Sequence, residues 1–257
     1  MGLDFFTKVR IFARSWNVLK NWYVYPLVYF NITKKPHVIF ETKSGIKLKI
    51  RTGTTDLMAL TNVWLTQEYL DDDFYIEDDD IVLDIGGHIG LFALFASQFC
   101  KKGKIFCFEP VKENYNILLE NLELNAIKNI VPFNLAVYDD SKKVKMYLSD
   151  DDAGHSVMLS GTKSIQADSI SLKKIFDDNK IDLCNFTKID CEGSEYSIID
   201  ALPSEYLKRI NKMAIEYHFA DSKPELANSL ISKIENADFH VRKKSHYNDM
   251  GFLHARR

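Results

Sequence analysis

The chain has 257 residues, of which 46% are hydrophobic and 27% charged, with a formal net charge of −3. That size and composition suit one large α/β domain with an extension, and they exclude a disordered chain. With a slightly acidic balance and scattered Lys and Arg residues, there is no electrostatic case for wrapping DNA or RNA, so no nucleic-acid partner is expected.

Residues 1 to about 35 read as one or two aromatic helices ending near Lys34-Lys35-Pro36. Met1 to Arg14 carries Asp4, Lys8, Arg10 and Arg14, with no long apolar core and no small-residue cleavage site. No secretory leader is therefore expected, and the reading is a cytoplasmic protein. The longest uncharged stretch of this segment, Asn21 to Thr33, is interrupted by Pro26. It falls short of the roughly 20 apolar residues that span a bilayer. A helical cap packed on the main domain is the expected role. The aromatics beside a basic segment also leave a weak peripheral membrane contact open. Residues 37–50 alternate around a Ser-Gly turn and predict a β-hairpin. Residues 55–70 predict a helix leading to the acidic run Asp71-Asp72-Asp73. Residues 1–70 are thus read as an extension, and 71–257 as the main domain.

From residue 81 the pattern alternates between strand and helix. Strands are predicted over 81–85, 104–109, 130–137, 143–148, 185–190 and 212–219. Helices are predicted over 89–100, 110–125, 193–201 and 224–236, and a closing hairpin over 239–247 and 252–256. Asp168 reads as an N-cap for a helix opening at Ser169. Alternating strands and helices predict a mostly parallel, Rossmann-like sheet covered on both faces, with the hairpin adding antiparallel strands at one edge. Ligands of such sheets bind at the carboxyl ends of the strands, so the loops after Ile85, Glu109, Asp190 and Tyr217 are the ones to search. The four cysteines form no C-x-x-C pair, which argues for reduced thiols and against a zinc site.

VLDIGGHIG, residues 82–90, is a glycine-rich turn after a strand. No Lys-Ser or Lys-Thr follows the glycines, so it is not a P-loop. The dinucleotide fingerprint would need glycine at 88 and 91, where the chain has His88 and Leu91. What remains is D-x-G-G-x-x-G. Asp84 would oppose a pyrophosphate and favour a ligand bearing positive charge, such as the ammonium and sulfonium of S-adenosylmethionine. Glu109 ends the neighbouring strand, where an acid can accept both ribose hydroxyls of an adenosine. NAD enzymes use that device too, so Glu109 alone indicates only adenosine.

The ordered set DIGGHIGLFAL, FCFEP, KIDCEGSE and IEYH resembles the FkbM family of S-adenosylmethionine-dependent methyltransferases over roughly residues 80 to 220. The resemblance implies an α/β class I methyltransferase fold with a seven-stranded sheet. It also implies O-methylation of a hydroxyl on a sugar, glycolipid or other small molecule, with a lipid-linked glycan among the acceptors considered. The expected cofactor contacts are Asp84, Gly86, Gly87, His88, Gly90, Glu109 and Pro110. His88 stands where the family often has Asn, and Cys191 where it often has Val.

Asp190, Glu192 and Glu195 can converge at a strand-to-helix turn on the ligand face. Glu216 and His218 lie one pleat apart on the next strand and so share a face. Methyl transfer to oxygen needs an in-line approach to the sulfonium methyl and a group to take the hydroxyl proton. Asp190 is the leading base or hydroxyl anchor, with Glu192, Glu216 and His218 in support. The carboxylates with His218 could instead hold Mg²⁺, a reading not favoured, and no metal ligand is assigned. Glu195 also reads as a helix N-terminal acid, and His155 as a passenger in an acidic loop. A non-catalytic module of the same fold and a nicotinamide-dependent oxidoreductase are the competing functional readings.

Overall fold

The structure, a computed structural model, describes residues 5–70, 74–139, 143–148, 163–247 and 249–257. His155 and its acidic loop lie outside the described residues. The extension opens with two helices, α1 (Phe5–Val18) and α2 (Val24–Tyr29), and then the hairpin of β1 (His37–Glu41) and β2 (Lys47–Arg51). The helix expected over 55–70 is shorter. Helix α3 (Asp56–Leu60) runs into a π-helical turn at Thr61–Thr66, which stops at Gln67 in the left-handed region (φ 54°). Such turns recur beside functional sites because they re-aim the chain that follows. Here that chain carries Tyr69.

The main domain continues with β3 (Ile81–Ile85), α4 (Leu91–Ala96), β4 (Lys104–Phe108), α5 (Lys112–Leu124) and β5 (Ile130–Phe133). A small sheet follows, built from β6 (Ala136–Tyr138), β7 (Lys143–Leu148) and β8 (Lys163–Ser171) in the order β6-β8-β7. The chain closes with α6 (Leu172–Asp178), β9 (Cys184–Asp190), α7 (Glu195–Ala201), α8 (Ser204–Leu207), β10 (Ile210–His218), α9 (Pro224–Glu235), β11 (His240–Tyr247) and β12 (Met250–Arg256).

The main sheet has seven strands in the order β11-β12-β10-β9-β3-β4-β5. Strands β10, β9, β3, β4 and β5 are parallel. Two expectations need correction. The strand predicted over 130–137 is two strands in different sheets, β5 and β6. Asp168 lies inside β8 and caps nothing; Ser171 is the N-cap of α6, accepting from the Lys174 amide at 3.3 Å. The closing hairpin sits at one edge of the sheet, as expected. Strand β12 inserts between β10 and β11 and pairs antiparallel with both, so β11 runs with the parallel strands.

Strand alternation divides the core between the two sheet faces. Leu83, Ile85, Phe106, Phe108, Ile189 and Ile215 point into a cluster covered by α6, α7 and α9. Val82, Ile105, Cys107, Phe186 and Ala214 point the other way, into a cluster that also takes in Tyr25, Phe40, Leu48, Ile50 and Trp64 of the extension. A single apolar core therefore runs across residue 70. By the same alternation Asp84, Lys188, Asp190, Glu216 and His218 stand on the face covered by the extension. The strand order reverses between β3 and β9, which brings the loops after those strands side by side.

The outward side of the extension is apolar. Phe6, Val9 and Trp16 of α1 are exposed, as are Tyr23, Leu27 and Phe30 at α2. Phe30 stacks on Phe12, and Trp16 lies against Trp22. Residues 5–40 contain six basic side chains, Lys8, Arg10, Arg14, Lys20, Lys34 and Lys35, and no acidic one. Among the described residues no helix is long and apolar enough to cross a membrane.

Candidate active site

A cleft opens at the carboxyl ends of the parallel strands, at the reversal point. Gly86, Gly87, His88, Glu109, Pro110, Asp190, Glu192 and Glu216 of the expected residues line it. Asp84, Gly90 and His218 do not. The glycine turn is set first by contacts inside the protein. A Cβ on Gly86, at φ 75°, would fall 1.8 Å from the Asp190 carbonyl oxygen. One on Gly87 would fall 2.2 Å from Cys107 Sγ. No side chain fits at either position, so the turn lies directly against β9 and β4.

Asp84 lies fully buried beneath this turn. It is the register partner of Lys188 on β9, and its Oδ1 stands 3.3 Å from Lys188 Nζ. The positive charge facing Asp84 therefore comes from the chain itself, not from a ligand in direct contact. Lys188 Nζ also donates to the Gly86 carbonyl at 2.6 Å and lies 3.6 Å from Asp190 Oδ2. Burial works to lower the Lys188 pKa, but the carboxylates of Asp84 and Asp190 outweigh it and hold the ammonium charged. Lys188 ties the glycine turn to the end of β9.

Glu109 is buried at the end of β4. Its Oε2 accepts from the His88 amide and its Oε1 from the Val111 amide, both at 2.8 Å. Burial pushes its pKa up to about 7, while those amides and Asn114 oppose the rise. Oε1 also accepts from Asn114 Nδ2 at 3.4 Å, so Oε2 is the oxygen that keeps lone-pair capacity for a further donor. That acceptor and the bare Gly86–Gly87 backbone fit a ribose hydroxyl of an adenosine.

His88 sits at φ 49°, a strained left-handed position for a residue with a side chain. Arg51 and Asp56 of the extension hold it there. Arg51 Nη2 donates to Asp56 Oδ1 at 2.7 Å and to Asn114 Oδ1 at 2.8 Å, and lies 3.3 Å from His88 Nε2. Arg51 Nε and its backbone amide both donate to Asp56 Oδ2, at 3.0 and 2.8 Å. Burial is the main reason the His88 pKa falls to about 4, so its ring is neutral, and Arg51 adds to the drop against Asp56. The glycine turn is thus clamped from above by the extension. Neither Arg51 nor Asp56 carries a local sequence signal for this role.

Asp190 and Glu216 are register partners on β9 and β10. Tyr69, just after the π-helical turn, joins them by donating to Asp190 Oδ2 at 2.8 Å and to Glu216 Oε2 at 3.3 Å. Burial, reinforced by Asp190, pushes the Glu216 carboxyl well above the usual carboxylate range. Glu192 takes a left-handed backbone (φ 51°), and burial raises its pKa to about 7. Behind them His218 Nε2 lies 3.1 Å from Glu192 Oε2 and 3.6 Å from Glu216 Oε1. Burial works to lower the His218 pKa, but Glu195 and Glu192 outweigh it and raise it to about 10. His218 is thus an imidazolium that cannot accept a proton at neutral pH. Fully buried Glu195 accepts from the Gly193 and His218 amides at 2.8 and 2.7 Å, which ties the loop to β10. Tyr69 and Lys188 are the cleft residues that sequence reasoning left without a role.

This sheet order, with its single reversed strand and its cleft at the reversal point, defines the class: a class I methyltransferase, the fold of S-adenosylmethionine-dependent methyltransferases. Residues 84–241 match the model of the Methyltransferase FkbM domain, and the chain belongs to the FkbM methyltransferase family. It is 26% identical over 159 residues to the hexuronic acid methyltransferase AglP of Haloferax volcanii, covering 61% of this chain and 63% of that protein. It is 23% identical over 172 residues to Methyltransferase 1 of Beauveria bassiana, covering 58% of this chain and 68% of that protein. Among solved structures, the fibrillarin pre-rRNA processing protein of Methanococcus jannaschii superposes with a TM-score of 0.51 at 12% identity, covering 87% of this chain and 84% of that one. Methyltransferase FkbM from Methylobacillus flagellatus superposes with a TM-score of 0.49 at 18% identity, covering 78% and 53%.

Proposed function

We propose that this methyltransferase transfers the methyl group of S-adenosylmethionine to a hydroxyl on a sugar, glycolipid or other small molecule. The observation that carries the reading is the Asp190 carboxylate. It lines the cleft beside the glycine turn, with Oδ2 fixed by the Tyr69 hydroxyl at 2.8 Å. When bound, S-adenosylmethionine supplies an electrophilic methyl group. Asp190 orients the acceptor hydroxyl and takes its proton as the new O–C bond forms and the S–C bond breaks. His218, with its pKa raised to about 10, holds a proton of its own at neutral pH, and burial shifts Glu216 toward its neutral form, which supports Asp190 over both as the base. They position the acidic cluster around it.

The likeness to a hexuronic acid methyltransferase supports a sugar acceptor. The exposed aromatic face of α1 and α2, on a segment with six basic residues and no acid, supports work at an anionic lipid surface on a lipid-linked acceptor. Labelled methyl donor incubated with the protein and a fractionated glycan or lipid extract should give a labelled acceptor, and Asp190→Ala should abolish the label. If no extract is labelled although S-adenosylhomocysteine binds, the non-catalytic reading takes its place.

A further inference from the structure

We infer that Asp190, Glu192 and His218 form a site for a hard divalent cation of the Mg²⁺ or Mn²⁺ class at the wall of the cleft, where His218 stands behind the two carboxylates. One ligand atom from each of the three lies within 4.8 Å of the others. Ligands about 2.1 Å from an octahedral ion stand roughly 3.0 Å apart when adjacent and 4.2 Å when opposite. The 3.1 Å from His218 Nε2 to Glu192 Oε2 is therefore an adjacent-ligand spacing.

The second observation is His218 itself. Its Nε2 is buried and has no partner in hydrogen-bonding geometry among the described residues, yet it points at the carboxylates of Glu192 and Glu216. The opposite ring nitrogen, Nδ1, lies 3.3 Å from Oε1 of fully buried Glu195, which also accepts the His218 amide. A carboxylate behind a histidine is the usual way to fix the ring and turn its other nitrogen toward a metal. Asp190 is approached by Tyr69 and by Lys188 through Oδ2, which leaves Oδ1 for the ion.

Charge points the same way. Five carboxylates, of Asp84, Asp190, Glu192, Glu195 and Glu216, gather here against the two cations of Lys188 and His218. A divalent cation would offset part of this concentration of acidic groups. One imidazole with two carboxylates suits Mg²⁺ or Mn²⁺ better than a soft-metal site built on thiolates. The purpose of the ion, drawing an acceptor hydroxyl to the methyl donor, rests on the proposed function; its binding does not.

Full-length protein stripped with chelator is titrated with Mn²⁺, and the signal of free Mn²⁺ is followed by electron paramagnetic resonance. One equivalent should bind and be displaced by excess Mg²⁺. Glu192→Gln, on a partly exposed loop, should weaken binding by about 10- to 100-fold or more, and Glu195→Gln by about 10- to 100-fold. S-adenosylhomocysteine binding is measured on the same metal-free samples. If it persists while Mn²⁺ fails to bind, or binds equally to both variants, the metal site is wrong and the cofactor reading stands. A Glu192→Gln protein that binds S-adenosylhomocysteine normally and has lost Mn²⁺ supports the site.

Discussion

Arg51→Met should cost far more stability than a surface substitution, because it strands a buried charge. Asp56 is fully buried, and Arg51 supplies two side-chain hydrogen bonds to it, at 2.7 and 3.0 Å. Removing one partner of a buried ion pair costs about 3–5 kcal/mol. In a domain of this length each kcal/mol shifts Tm by about 2–4 °C, so a drop of roughly 6–20 °C is expected. The double variant Arg51→Met/Asp56→Leu removes both charges and should recover more than half of the loss. pH supplies a second reading. Burial works to raise the Asp56 pKa, but Arg51 and His88 outweigh it and hold it below the ordinary carboxylate value. Its contribution to stability is therefore present above the unfolded carboxylate pKa, about 3.9, and is lost as pH falls through the lower folded value. That acid limb should flatten in the double variant. Thermal unfolding followed by circular dichroism at pH 7 and across pH 3–5 measures all of this. A single variant within about 1 kcal/mol of wild type, or a double variant no better than the single, would refute the clamp.

Four further outcomes follow. Asp190→Asn should lower kcat by at least about 100-fold while S-adenosylhomocysteine affinity holds. Tyr69→Phe, which removes the hydroxyl shared by Asp190 and Glu216, should give a smaller loss in the same assay, about 1.5–3 kcal/mol in activation free energy. The folded pKa of Glu109, about 7, lies above its unfolded value. The stability it contributes is thus complete below the unfolded value and is lost as pH rises through about 7. Ribose binding runs the other way, because the ionised carboxylate is the better acceptor. S-adenosylhomocysteine affinity by calorimetry should accordingly rise about tenfold from pH 6 to pH 8, and a flat profile would show that Glu109 does not touch the ligand. Full-length protein should co-sediment with phosphatidylglycerol-containing vesicles in low salt but not with pure phosphatidylcholine ones. Phe6→Ser/Trp16→Ser/Phe30→Ser should remain in solution, and wild type remaining there too would remove the lipid-surface reading.

The parallel strands were legible because a buried strand is a short apolar run ending at a turn, as in Ile81–Ile85. The placement of Glu216 and His218 on one face followed from strand alternation alone. Other features depend on chain segments far apart in sequence. Arg51 and Asp56 reach the glycine turn, and Tyr69 the cleft, only because the hairpin packs on α5 and the π-helical turn on α4, and no spacing within residues 50–70 encodes that. Asp84 shows the opposite error. Its charge taken alone suggests a cationic ligand, whereas its register partner Lys188 neutralises it from the neighbouring strand. Asp168 has cap chemistry, yet pairing with Lys143 across β7 and β8 keeps it in a strand.

The account stands on the cleft between the glycine turn and Glu109 as the methyl-donor site. Calorimetric titration of S-adenosylhomocysteine into wild type and Glu109→Ala tests this most directly, with the Tm of each protein confirming that it is folded. Wild type should bind one equivalent, and folded Glu109→Ala should bind at least about tenfold more weakly. No heat of binding with wild type, or equal affinity in the two proteins, would contradict the account.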